Sequence, residues 1–198
     1  MVLPQITTPL LETLQIGFFY QPTILVPHLS QYMSSTESLR SSNIKLVFYS
    51  SHFTLIVYHR EYANMIPYTL WLQIRINELD RQVASAAQIL HALGAALTTV
   101  ETLTLKHDDD SELHEEAHRS RWRDLLRSLG NVKTLRVFGG LVGELSRCLR
   151  SDETEPPMEL LPKLKVLEYI ATDDASDPFA SFIDACKNAG HPVALVRH

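Results

Sequence analysis

One apolar phrase returns along this chain at a fixed step. Val100, Leu103 and Leu105 form one copy. Val132, Leu135 and Val137 form the next, and Leu164, Leu167 and Tyr169 the third, so that Leu103 to Leu135 and Leu135 to Leu167 are equal intervals. Leu11, Leu14 and Ile16 form an earlier copy near the start. A fixed period of about 32 residues marks a stacked repeat architecture, in which one supersecondary unit recurs. A single unit of that kind cannot bury its apolar face alone, so neighbouring units must pack in register.

A helical pattern follows the copies. Between the first and second, Trp122, Leu125, Leu126 and Leu129 recur at helical spacing. After the second, Gly139-Gly140 opens a shorter helix with Leu141, Val142, Leu145 and Leu149 on one stripe. After the third, Asp177 can cap a helix, Pro178 suits its first position, and Phe179, Phe182, Ile183 and Cys186 share a face. Gly190 then suits a left-handed stop. Ahead of the first copy, Val83, Ala87, Leu90, Leu93 and Leu97 predict a helix from Gln82 to Thr98.

The N-terminal half is less regular. Ile44-Lys-Leu46-Val-Phe48 and Phe53-Thr-Leu55-Ile-Val57-Tyr58 alternate and are joined by Tyr49-Ser-Ser-His52, which predicts a β-hairpin. Leu70 to Ile76 predicts a further repeat strand, and Pro192 to His198 a terminal one. Counted between central leucines, Leu14 to Leu46 is a full repeat step, Leu46 to Leu72 is markedly shorter, and Leu72 to Leu103 falls just short of the full step. The expectation is a single domain over residues 1–198. It would be an α/β solenoid of about six repeats, parallel sheet on one side and helices on the other, with an irregular hairpin repeat near 44–58.

In a Leu-x-Leu strand both leucines face the helices and the residue between them faces away. That predicts a column on the outer, concave face made of Gln15, Gln73, Thr104, Arg136 and Glu168. Arg136 and Glu168 should stand side by side. Solenoids commonly bind macromolecules on this surface, so a protein partner is expected there.

Bulk properties narrow the classes. Hydrophobic residues at 45% and charged residues at 21% fit a chain with a sizeable core. The formal charge of -5 and the lack of a long basic stripe argue against nucleic acid. No apolar run approaches the ~20 residues that cross a bilayer, and no secretory signal is visible at the N-terminus. The two cysteines, Cys148 and Cys186, fall on apolar helical stripes and are expected to be buried free thiols in an intracellular protein, cytoplasmic or nuclear. No cofactor motif occurs.

The phrasing resembles the leucine-rich-repeat region of F-box proteins, notably the divergent fungal set. The stretches that carry the likeness are Ile44 to Phe48, Asn131 to Val137, Glu159 to Tyr169, and Phe182 onward through Gly190-His-Pro-Val-Ala-Leu-Val-Arg-His198. The resemblance implies a non-enzymatic module that captures a substrate for ubiquitination. An F-box, the segment that docks on the ubiquitin-ligase adaptor, is not visible in this sequence. The chain opens close to a repeat strand and is expected to correspond to the recognition half of such a protein, or to a truncated relative without ligase function. An adaptor partner is expected only where an F-box is present.

One motif points elsewhere. His114-Glu115-Glu-Ala-His118 matches the His-Glu-x-x-His pattern of zinc hydrolases, where two histidines on one helix face bind the metal and the glutamate activates water. Asp124 lies where some such enzymes hold a third ligand, but Arg121 stands in place of the glycine that turns the chain toward it. On a continuous helix Asp124 would sit about 240° around from His118. A metal-dependent hydrolase using His114, Glu115 and His118 is the alternative expectation, and incidental binding of a transition metal by His107, His114 and His118, without catalysis, is a lesser one.

Overall fold

The computed structural model describes residues 14–19, 43–58, 68–94, 97–108, 117–150, 159–170 and 177–198. Eight strands form one open, mostly parallel sheet: β1 (Leu14–Phe19), β2 (Asn43–Phe48), β3 (Phe53–Tyr58), β4 (Tyr68–Arg75), β5 (Thr102–His107), β6 (Thr134–Phe138), β7 (Val166–Tyr169) and β8 (Ala194–Arg197). Four helices are described: α1 (Leu79–Ala92), α2 (Arg119–Arg127), α3 (Leu141–Leu149) and α4 (Ala180–Asn188). Each lies in the connection between two parallel strands, as a parallel crossover requires.

From β5 to β8 the strands lie side by side in chain order, and the repeat step is the register. Leu103 pairs with Leu135 and Leu135 with Leu167. The strand entries repeat one another: the backbone N–H groups of Lys133 and Thr134 donate to Glu101 O, those of Lys165 and Val166 to Lys133 O, and that of Ala194 to Lys165 O. Side chains echo the step. Lys133 bonds the Glu101 carboxylate, and Lys163 Nζ donates to Asn131 Oδ1 at 2.6 Å.

The N-terminal half departs from that order. Strand order across the sheet is β1-β4-β3-β2-β5-β6-β7-β8. Strand β3 runs antiparallel to both neighbours, and β1 pairs with β4, not with β2. The reason is local. The expected hairpin forms, its turn closed by Tyr49 N–H donating to His52 O at 2.9 Å. It occupies one edge of β2, and β5 takes the other. The free edge of β4 is what remains for β1.

The inner rows are continuous and apolar. One runs Leu70, Val57, Ile44, Leu103, Leu135, Leu167 and Leu195 across seven strands. All but the partly buried Leu195 are fully buried. The helices cover this face with Val83, Leu90, Trp122, Leu125, Leu145 and Phe182, among others, in a single core cluster. Each such aliphatic side chain contributes about 1.5–3 kcal/mol by leaving water. Helix α1 runs Leu79–Ala92, starting ahead of the predicted Gln82 and ending short of the predicted Thr98, and Leu97 N–H reaches back to Leu93 O at 3.2 Å.

Both positive-φ glycines serve the fold. Gly190 (φ 79°) ends α4, and His191 N–H then reaches back to Cys186 O at 3.0 Å. Gly139 (φ 69°) passes so close to β5 that a Cβ would stand 3.0 Å from His107 O. Ahead of α4, Asp177 Oδ1 accepts from Phe179 N–H at 2.9 Å, and the helix starts at Ala180, later than Pro178 suggested.

Candidate functional site

The face of the sheet turned away from the helices is the candidate. Strand alternation sends Thr104, Arg136 and Glu168 there, and parallel pairing sets them in one row: Thr104 beside Arg136, Arg136 beside Glu168. Arg136 Nε donates to Glu168 Oε2 at 2.9 Å, as their neighbouring positions predicted. Both are about three-quarters buried, with side-chain exposures of 31% and 20%, so the pair is less screened than an ordinary surface ion pair. His198 Nε2 lies 3.8 Å from the same carboxylate oxygen.

The rest of the predicted column is only partly in line. Gln73 faces the same side but pairs with Thr54, one same-face position beyond the row. The row's member on β4 is Trp71, followed by Ile56 on β3 and Lys45 on β2, which pairs with Thr104. Gln15 lies beside Trp71 in backbone register, and its side chain is outside the described residues. Lys45, Ile56 and Trp71 were therefore missed. The slip arose because Leu70, Leu72 and Ile74 alternate without a break. A slip by one full alternation keeps every side chain on its face, so alternation alone cannot choose between registers.

The row changes character along its length. Trp71 and Ile56, half-buried, make its hairpin end apolar. Beyond them stand Lys45, Thr104, Arg136 and Glu168, then Val196, 36% exposed. In the next row, Lys106 pairs with Val47 on one side and Phe138 on the other. Lys106 also bonds Asp108, and this contact holds the Asp108 carboxyl below the usual carboxylate range. Thr104 is the unusual member. It is only 4% exposed, and its hydroxyl has no hydrogen-bond partner among the described residues. A buried hydroxyl in that state is a standing cost of about 1–3 kcal/mol.

The metal-site alternative meets a different geometry. Ala117 and His118 are not helical; α2 begins at Arg119. His118 is the residue that caps it. Its Nδ1 accepts from Ser120 N–H at 3.3 Å, and its own N–H donates to Asp80 Oδ1 at 2.8 Å. His118 thus stands at the cap of α2, ahead of its first helical residue, and not on a helix face. His114 and Glu115 lie outside the described residues. Among the described residues no group of three or more His, Cys, Asp or Glu side chains is placed to hold a metal ion. Asp124, the notional third ligand, pairs with Arg127 at 3.1 Å.

The thiols are buried and unbridged, as their helical positions predicted. Burial pushes Cys148 up to about 12 and Cys186 up to about 11. Trp122 is a core residue, its ring edge against Phe48 and its N–H donated to the buried Glu144 carboxylate at 3.4 Å. Among the described residues no helix is long and apolar enough to cross a membrane. Compared with known proteins, the chain matches no protein-family model, no curated protein and no solved structure.

Proposed function

We propose that the chain is a non-enzymatic protein-recognition module, a leucine-rich-repeat-like solenoid that holds its partner on the helix-free sheet face. In a protein that also carries an F-box, the same face would present the partner for ubiquitin transfer. The observation that supports this most is the in-register row Lys45, Thr104, Arg136 and Glu168 on a face that no described helix covers. Parallel pairing fixes the spacing of these side chains. A preorganised row of that kind lowers the ordering cost of binding. The motifs quoted for the resemblance to F-box repeat regions support the ubiquitin-linked part.

The experiment is affinity capture from the native cell with the wild-type chain and an Arg136→Glu, Glu168→Arg double variant. The expected result is a protein recovered by the wild type and lost with the variant. Equal recovery by both would remove the row from the binding surface. Co-recovery of ubiquitin-ligase adaptor subunits with a protein that carries this chain supports the ligase role, and a partner recovered without them argues against it.

A further inference from the structure

We propose that the segment captured on this face is acidic, an extended stretch of a partner protein whose carboxylates meet Lys45, Lys106 and Thr104. The inference rests on the recognition reading above and names the chemistry of its partner.

Charge is the first argument. The whole chain carries a formal charge of -5. The face that no described helix covers runs the other way: among the described residues, Lys45, Arg75, Lys106 and Arg136 stand there against Asp108 and Glu168, which Lys106 and Arg136 bond, an excess of cations. A locally positive face on a negative molecule selects and steers an acidic partner while the remaining surface repels it.

The second argument is independent of charge. The Thr104 hydroxyl is buried in this region without a partner among the described residues. Lys45 is its register neighbour on β2, and Lys106 is the next same-face residue on its own strand. A hydroxyl donor between two lysine positions, one of which already bonds the Asp108 carboxylate, belongs to a surface whose chemistry takes carboxylates, and charge-assisted hydrogen bonds are the stronger kind. Nucleic acid would also supply anionic oxygens. The Asp108 and Glu168 carboxylates interrupt the face, however, and would repel a continuous phosphate backbone, whereas a peptide can place its acids between them.

The test is a titration of the chain by fluorescence anisotropy. The probes are a short peptide of alternating glutamate and serine, its lysine and its glycine counterparts, and single-stranded DNA, at low and at physiological salt. The acidic peptide should bind, more weakly as salt rises, and a Lys45→Glu, Lys106→Glu variant should weaken it about tenfold or more. Thr104→Val is the second variant. It removes an unpartnered hydroxyl at constant shape, so it should leave the denaturation midpoint unchanged or raised while weakening the peptide. A purely structural threonine would not give that opposite pair of effects. Absence of binding by the acidic peptide, or binding indifferent to both variants, overturns the proposal. Binding of the lysine or glycine peptide instead overturns the acidic chemistry and leaves protein recognition standing. Preferred binding of DNA, lost in the lysine variant, overturns both.

Discussion

The two halves of this sheet solve one problem differently. From β5 to β8 a helix lies between each strand and the next, and chain order is spatial order. From β2 to β3 the chain turns straight back, β3 lies reversed between β2 and β4, and β1 ends up beyond them all. Yet the inner apolar row passes through both halves without a break, from Leu70 to Leu195. Register across a sheet is thus maintained by side-chain burial, while the order of strands is decided by what connects them. A helix steps the chain one place along; a tight turn folds it back and closes an edge.

The sharpest way to break that comparison is through the shared core. Leu135→Ala, between Leu103 and Leu167, should cost about 2–5 kcal/mol, and Leu55→Ala in the hairpin should cost a similar amount. If one core unites the halves, urea titration followed by circular dichroism gives a single transition in both variants. Two separated transitions would divide the molecule at β2 and β5.

Alkaline pH distinguishes the halves by composition, because both cysteines lie in the helix-rich half. In the folded state Cys148 holds its proton up to about 12, against 9.0 for the free thiol. The unfolded chain therefore ionises first, and stability falls as pH rises from about 9 toward 12, with full stability retained below that window. The slope reaches at most about 1.4 kcal/mol per pH unit for one thiol. Cys148→Ala should reduce it in denaturation curves taken across that range, leaving the share of Cys186, whose thiol is pushed up to about 11, and an unchanged slope would assign the alkaline loss to other groups.

The seam between the halves is next. Phe48 on β2 meets Trp122 on α2 with ring centroids 5.6 Å apart. Trp122→Phe keeps much of the ring contact but takes the N–H from Glu144, leaving that carboxylate to Arg147, for a loss of about 1–3 kcal/mol. Adding Glu144→Gln should recover part of this loss. His118→Ala removes the α2 cap and should cost about 1 kcal/mol, read from the same transition. Smallest of all is the Arg136–Glu168 pair. A double-mutant cycle to alanine should give a coupling of about 0.5–1 kcal/mol, and a value of zero would make the pair a feature of binding alone.

What the sequence made legible follows the same division. The constant repeat step predicted that Arg136 and Glu168 would be neighbours, because a helical crossover leaves little choice of where the next strand goes. The hairpin was legible too, from alternation on both sides of Tyr49 to His52. Its consequence for β1 was not. Leu14 precedes Leu46 by a full repeat step, but the edge it would have paired with is taken by β3. Lys45 and Trp71 escaped for a subtler reason, since a slip by one alternation preserves facing and only actual pairing reveals it. The capping role of His118 was hidden by a motif that places this histidine within a helix, whereas it precedes the first helical residue, Arg119.

The repeated strand entries, in which Glu101 O and Lys133 O each receive two N–H groups from the strand one repeat on, make this half of the molecule modular. Splicing a copy of residues 134–165 between β6 and β7 would present the same acceptors and donors at both junctions, so the sheet would grow by one strand with its pairing pattern intact. No comparable splice exists between β2 and β3, where an inserted unit would have to break the turn closed by Tyr49 and His52. A sheet can be lengthened where helical crossovers join its strands, and not where a tight turn does.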